Sequence, residues 1–373
     1  MRVVMTTDYF PPAGGGVEVV IAQVAPRLVK AGHDVMILTL SGLGDRGSGT
    51  YRGARVEQFG SIRLNRLIGL EYRLPVAARR GIREVITDFR PHVVNAHHAF
   101  FSTTPMALRV ARDLGIPSML TLHIGDLQAV GGWRGVLART YESLVVGRVI
   151  GRADSVAAVS QAVAEAVPWK RVAVIPNGVD SEKFRPPDEK GPTSNRVLFV
   201  GRLIDNKGPM IMMRAFSDVA TELPDVSLTM VGDGPLRRPL ERLSAALGVS
   251  DRVTFLGMRS DVDELMRGCD LLVRPSLVEG MPLTVLEAMA SGLPVIASDV
   301  AGVGEAVVDG STGLLVRPGS VDDLSEALLR LMRDPELRVE MGERARRRAV
   351  DEFTWERTAT ETERLLEEVA IGV

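Results

Sequence analysis

Two series of short β-branched runs, each interleaved with longer helical stretches, follow one another along this chain. The first series reads RVVMTT, DVMILTL, HVVNA, SMLTL, SVAAVS and VAVIP. The second reads RVLFVG, SLTMVG, VTFLG, LLVRP, PVIAS and GLLVR. Between them lie helical patterns such as GVEVVIAQVAPRLVKAGH and PLRRPLERLSAALG. Short apolar runs alternating with helices are strands of parallel sheets, buried by helices on both faces. Two such series in tandem predict an α/β protein of two doubly wound parallel-sheet domains. At 373 residues the chain also exceeds one ordinary core. The join is expected in PNGVDSEKFRPPDEKGPTSN, residues 176–195, which is rich in turn formers and lacks periodicity. That places one domain at residues 1–176 and the other at 177–354. A last helix from about residue 355 is free to pack on either.

Composition narrows the class. With 45% hydrophobic and 25% charged residues, the chain reads as a soluble globular protein. No run of about 18 apolar residues offers a membrane-spanning helix. The start, MRVVMTTDYFPP, lacks the apolar core and cleavage site of a secretory signal and reads as a first strand. The single cysteine, Cys269, allows no intrachain disulfide and fits a reducing cytoplasm. No Cys/His cluster has metal-ligand spacing, so no metal is expected. The net charge of −2 conceals an asymmetry. Residues 1–185 carry 23 Lys+Arg against 15 Asp+Glu, whereas residues 186–373 carry 22 against 32. No nucleic-acid motif accompanies the basic half, so nucleic acid is not the expected partner; an anionic membrane surface fits better.

In open parallel sheets ligands bind outside the carboxyl ends of the strands, and between two such sheets the interdomain cleft is the default site. Four motifs fall at strand ends. AGGGVE, residues 13–18, offers Gly15 and Gly16 in front of a helix, where free amides favour an anion. Its spacing is not GxGxxG, and GDGPLR at Gly232 also lacks the third glycine, which weakens a nicotinamide-cofactor reading. FVGRLIDNKG sends Arg202 and Lys207 out of one strand together, able to clamp a diphosphate or simply to be solvated. LTLHIGD places His123 at a strand end as acid, base or hydrogen-bond donor, or as a structural histidine. With this third motif goes NAHHAF, which places His97 and His98 at another strand end.

The fourth motif, LVEGMPLTVLEAMASGLPVIAS, carries two carboxylates in an otherwise uncharged run. Pro282 suits the first turn of a helix and Gly292 its end, giving a helix from Pro282 to Ser291. Glu279 then precedes the helix and Glu287 lies within it. The amides of Met281, Leu283 and Thr284 are left to face an anion. Carboxylates flanking a phosphate site suit sugar or ribose hydroxyls; the alternative is an ordinary solvent-facing Glu287.

Taken in order, these motifs resemble the retaining group 1 glycosyltransferases, also called family four, over nearly the whole chain. The strongest element is E-x7-E, here EGMPLTVLE, with VSQAV, IPNGVD, GRLIDNKG and VGDGP in support. In AGVGEAVVDGSTGLLV the family's usual proline is replaced by Gly304 before Glu305. The resemblance implies a GT-B fold, with two Rossmann-like domains facing a cleft and the last helix crossing back to the first domain. It implies a nucleotide-sugar donor on the second domain. Arg202 and Lys207 would neutralise the diphosphate, and Glu287 would bind the ribose. Glu279 would contact the transferred sugar. Gly280, Met281, Pro282, Leu283 and Thr284 would lie along its phosphate, and Arg259 near the base. Gly15 and Gly16 would face phosphates and acceptor, and His123 the reacting sugar. The implied reaction is metal-free, cofactor-free transfer to an acceptor hydroxyl with retained configuration. The acceptor is a sugar, a small molecule or a lipid-linked carrier.

Residues 61–86 mix Leu and Ile with six arginines, and WRGVLARTYESLVVGRVIGR is similar. Either these are basic amphipathic surfaces for anionic lipid at the inner membrane face, or helices packed on the sheet with arginines in solvent. Rival functions are a nucleotide-sugar 2-epimerase of the same fold and a non-catalytic nucleotide-sugar-binding protein.

Overall fold

A computed structural model describes residues 1–10, 15–42, 47–63, 73–75, 78–123, 147–167, 172–188 and 195–372. It comprises two compact units, Met1–Asn177 with Trp355–Val373, and Gly178–Thr354.

The first unit is built on strands β1 (Arg2–Thr6), β2 (Asp34–Ser41), β3 (Gly47–Tyr51), β4 (Ala54–Arg63), β5 (Arg73–Pro75), β6 (Val93–His97), β7 (Ser118–Leu122), β8 (Ser155–Ala158) and β9 (Val172–Val174). Their order is β3-β4-β2-β1-β6-β7-β8-β9, with β5 also pairing β4. The pairings from β4 through β9 are parallel, while β3 and β5 run antiparallel to β4. The strand order reverses direction between β1 and β6, so their carboxyl-end loops flank the switch point where a ligand crevice opens.

Strands β3 to β5 were not expected. They lack the continuous apolar run of a buried strand: GSGTY is mostly exposed and ARVEQFGSIR alternates. They also revise the reading of residues 61–86. Residues 61–63 end β4, 73–75 form β5, and the helix Ala78–Phe89 follows. That helix turns Ala78, Ile82, Val85, Ile86 and Phe89 into the core beside Phe59 and Val94. Its apolar face is therefore spent on the sheet, and only its arginine face reaches solvent. Residues 64–72, and 133–146 of the second basic stretch, lie outside the described residues. Among the described residues no helix is long and apolar enough to cross a membrane.

The last helix, Trp355–Ile371, packs against the helix Gly16–Lys30 and against β6 and β7. It buries Trp355, Thr358, Thr362, Leu366 and Val369. An ion pair, Arg27 with Glu356 at 2.8 Å, and a hydrogen bond between His33 Nε2 and Glu363 at 2.7 Å flank that packing.

The second unit holds β10 (Arg196–Val200), β11 (Ser227–Val231), β12 (Val253–Gly257), β13 (Leu271–Arg274), β14 (Val295–Ser298) and β15 (Gly313–Val316). All pair in parallel, in the order β12-β11-β10-β13-β14-β15. Phe199, Met212, Phe216, Met230, Leu271 and Val273 form part of its core. The switch point lies between the central strands β10 and β13.

Candidate functional site

Two loops leave that switch point together. From β10 the chain passes through Gly201 and Arg202 into a single 3-10 turn, Asp205–Lys207, and then the helix Pro209–Glu222. From β13 it passes through Ser276 and Glu279 into the helix Leu283–Ala290. The loops are stitched by the Leu277 amide donating to Asn206 O at 2.8 Å. Gly208 has φ +67°, and a Cβ there would meet Pro275 O at 1.9 Å, so only glycine permits this approach. The GDGP loop after β11 joins the same set: the Leu203 amide donates to Asp233 O at 2.9 Å, and the Leu236 amide to Leu203 O at 3.1 Å.

Glu279, 6% exposed, is the hub. Its Oε1 accepts from Lys207 Nζ at 2.8 Å, Arg274 Nε at 2.9 Å, Arg274 Nη2 at 2.6 Å and Ser276 Oγ at 2.7 Å. None of these bonds falls on Oε2. Burial would raise the Glu279 pKa, but Arg274 and then Lys207 outweigh it and hold the carboxyl at about 2. Burial conversely lowers Lys207 to about 8, with Glu279 pulling back upward. The sequence reading brought Lys207 and Glu279 to one site without pairing them; the fold joins them directly.

Arg274 is the residue that sequence reasoning missed. It ends β13, is 5% exposed, and sends Nη1 to Val200 O at 2.5 Å. Gly201 makes room for it, since a Cβ on Gly201 would stand 2.3 Å from Nη1. A signal was present in LLVRPS: an arginine closing a buried central strand, with a glutamate five residues later.

The helix bounds are Leu283–Ala290, with Pro282 as N-cap and Ser291 as C-cap, one residue inside the predicted limits at each end. Gly280, Met281 and Pro282 are buried. Among the described residues the Leu283 and Thr284 amides have no hydrogen-bond acceptor. Among the same residues, Thr284 Oγ1 and Asn206 Oδ1 are buried without a partner. Orphaned polar atoms beside a helix start and a cationic turn are what a polar, anionic ligand would satisfy.

Glu287 is half-buried rather than solvent-facing. Burial pushes its carboxyl up to about 7, against the pull of Lys183 and Arg274. Among the described residues that carboxyl has no hydrogen-bond partner, so it can donate to or accept from a hydroxyl near neutral pH. Arg202 is exposed on the β10 loop. Arg259 lies beyond the edge strand β12, exposed and paired with Asp261.

In the first unit the switch-point loops are tied by Asp8, a buried residue the sequence reading passed over. Its carboxylate accepts from the amides and hydroxyls of Ser102 and Thr103, at 2.8–2.9 Å, capping the helix Thr103–Asp113. Burial raises its pKa against those bonds. Gly15 and Gly16 open the helix Gly16–Lys30, but the Gly15 amide already donates to Oε2 of the buried Glu18 and is not open to an anion. His98 adopts φ +65° at the end of β6, a conformation costly for a non-glycine residue. Its amide donates to Thr121 O at 2.8 Å, and its ring stands 6.5 Å from that of His123. His97 Nδ1 and His123 Nε2 lie 3.1 Å apart. Burial lowers all three histidines, His97 to about 3, His98 to about 4 and His123 well below its ordinary value, so the cluster is uncharged.

Among the described residues one trio, His33, Glu363 and Glu367, could hold a cation, with ligand atoms within 4.8 Å of one another. Its His33 nitrogens already engage Glu363 and the Met1 amine. None of the switch-point residues belongs to it.

Two family models match the chain: "Glycosyl transferases group 1" over residues 180–348, and "Glycosyltransferase Family 4" over residues 14–183. An uncharacterized glycosyltransferase of Methanocaldococcus jannaschii is 28% identical over 386 residues, covering 99% of each chain. Among solved structures, sucrose-phosphate synthase from Thermosynechococcus elongatus superposes with a TM-score of 0.84 at 22% identity, covering all of both chains. An Anabaena protein crystallised with UDP-glucose gives 0.78 at 22% identity, covering 99% of this chain and 100% of that one.

Proposed function

This chain belongs to the group 1 glycosyltransferases of GT-B fold, and from that premise we propose that it transfers a sugar from a nucleotide-sugar donor to an acceptor hydroxyl with retained configuration. The observation that carries the donor assignment is the charge imbalance at the β10–β13 switch point. Two cations, the buried Arg274 and the largely buried Lys207, face one carboxylate, Glu279. A buried surplus of positive charge is costly in a low-dielectric setting, and a bound diphosphate offsets it. The unsatisfied Thr284 hydroxyl and the acceptor-free amides of Leu283 and Thr284 suit the same anion. The Anabaena complex supports a uridine diphosphate sugar as the first donor to test.

On this reading Lys207 and Arg202 neutralise the charge that develops on the leaving diphosphate. Glu279 keeps Oε2 for a hydroxyl of the transferred sugar, because Oε1 is consumed by its three neighbours. Glu287 takes the ribose hydroxyls, and Arg259 lies towards the base. His123 hydrogen-bonds a substrate hydroxyl on the first unit. The leaving phosphate accepts the acceptor's proton on the face it departs from, so no carboxylate nucleophile is required. The proteins described above include a glycosyltransferase and a synthase, and among the described residues no feature of the site favours epimerisation.

For the acceptor, a lipid-linked carrier at an anionic membrane is the form tested first. Contact there would be electrostatic, through Arg79, Arg80 and Arg83, which are exposed. Binding to anionic vesicles at low salt, lost at high salt, is expected; no binding at low salt removes the membrane from the proposal.

The decisive experiment is a thermal-shift screen of nucleotide-sugars, then turnover with the best donor. Lys207→Ala and Glu279→Ala should each lower transfer by roughly tenfold or more. Parent-like turnover in both folded variants would overturn the assignment.

A further inference from the structure

The first unit encloses a small cavity beside the two histidines. His97, Thr121, His123, Asn177, Thr358 and Thr362 are its polar walls, with Val20, Val24, Val159 and Ile175 closing it. It has room for about one water molecule. His97 is 2% exposed, and its Nε2 is buried without a hydrogen-bond partner among the described residues. We propose that one water held in this cavity accepts from His97 Nε2–H, and that His97 thereby positions His123 as the Nε2–H tautomer with a bare Nδ1.

The direction follows from counting protons. Thr358 Oγ1 donates to Pro176 O at 2.8 Å, and Thr362 Oγ1 donates to Thr358 O at 2.7 Å. A carbonyl only accepts, so both hydroxyl protons are spent away from the cavity. Thr121 Oγ1 is spent likewise on Asn95 Oδ1 at 3.0 Å. All three threonine oxygens retain only acceptor capacity. A water among them gives its two protons to such acceptors and is left to accept one from His97. The opposite arrangement makes the water donate to His97, leaving it one proton for the threonines, at least one hydrogen bond fewer in a buried site.

The rest follows from one proton per neutral ring. With its proton on Nε2, His97 offers Nδ1 as an acceptor. His123 Nε2, 3.1 Å away, must then donate to it. His123 is left with an unprotonated Nδ1, which makes no hydrogen bond among the described residues. Such a nitrogen accepts from a substrate hydroxyl and does not act as an acid. This catalytic consequence rests on the role proposed for His123 above; the tautomer does not.

Ring nitrogens of 15N-histidine-labelled full-length protein, read by long-range proton–nitrogen correlation, report the tautomer directly. Loss of signals in His123→Gln assigns the residue. His123 is expected as Nε2–H; finding it as Nδ1–H overturns the proposal. The double variant Thr358→Val, Thr362→Val removes two acceptors at nearly constant volume and should shift both rings to mixed tautomers. Unchanged rings there would sever the water from the mechanism. His97→Leu should leave His123 mixed, while His97→Asn, whose side-chain oxygen can stand in for Nδ1, should restore Nε2–H. If the leucine variant fails to fold, the asparagine and threonine variants still decide the matter. Turnover with the best donor separates the two readings. A kcat loss of about tenfold in His97→Leu at unchanged KM supports both. The assigned tautomer with parent-like kcat upholds the positioning by His97 and removes His123 from the reaction.

Discussion

Arg274 grips Glu279 by one oxygen, donating to Oε1 through Nε at 2.9 Å and Nη2 at 2.6 Å, while its third nitrogen anchors to the end of β10 at Val200 O. The guanidinium thus locks the carboxylate between the two central strands of the second sheet. Replacing it by methionine keeps much of the volume and strands Glu279 with only Lys207 and Ser276. Breaking a buried pair costs about 3 kcal/mol or more. Arg274→Met should therefore lower the urea midpoint and cut transfer at least tenfold, with Arg274→Lys recovering part of both. Equal stability and turnover in Arg274→Met would remove Arg274 from the site.

Gly201 and Arg274 should behave as one unit. A methyl on Gly201 would stand 2.3 Å from the Arg274 guanidinium, nearer than a real contact allows. Gly201→Ala alone should displace Arg274 and lower stability and transfer. In an Arg274→Met background the same substitution should cost much less, because its obstacle is gone. A double-mutant cycle by chemical denaturation measures the coupling, expected between about 0.5 and 3 kcal/mol. Strict additivity would contradict the geometry.

Lys207 makes anion binding pH-dependent in a defined direction. Burial lowers its pKa from 10.5 to about 8, so it is a full cation below that value and loses charge above it. Calorimetric affinity for the best nucleoside diphosphate should be flat from pH 6.5 to about 7.5 and weaken above about 8. Lys207→Arg, charged throughout, should flatten the decline.

Glu287 makes folding, rather than binding, pH-dependent. Its carboxyl is raised from 4.5 to about 7 by burial, so between those values the folded chain binds a proton that the unfolded chain has lost. Stability must therefore fall as pH rises through that window. Relative to the wild type, Glu287→Gln should be increasingly favoured from pH 4.5 to about 7 and level off beyond. Denaturation midpoints of the two proteins across pH 5 to 8 would show parallel curves if Glu287 were solvent-exposed.

Charge supplied by Lys207, Arg202 and Arg274 leaves no task for a divalent ion at the diphosphate in the proposed reaction. Turnover should survive exhaustive EDTA treatment. A collapse restored by added magnesium would return that role to a metal.

Much of the architecture was legible in order and type. The twelve apolar runs all became parallel strands, because strands covered on both faces must be apolar at nearly every position. The antiparallel pairings of β3 and β5 with β4 were not legible. GSGTY packs little and ARVEQFGSIR is only half apolar, so neither resembles a buried strand. Likewise, the leucines and arginines of residues 61–86 permitted a membrane-facing surface, and only packing showed that Ile82, Val85 and Ile86 belong to the core.

The sequence by itself determined the two parallel-sheet units and delivered Arg202, Lys207, Glu279 and Glu287 to strand ends and a helix start. Local patterning suffices for that, since a strand's carboxyl end and a helix's first turn are set by neighbours in the chain. Tertiary structure decided what each group does there. It paired Lys207 with Glu279 across 72 residues, buried Arg274 against the same oxygen and half-buried Glu287. It also spent the Gly15 amide on Glu18 and set His97 beside His123. Charge state and hydrogen-bond direction depend on burial and on partners distant in sequence, and those exist only once the strands have ordered themselves around each switch point.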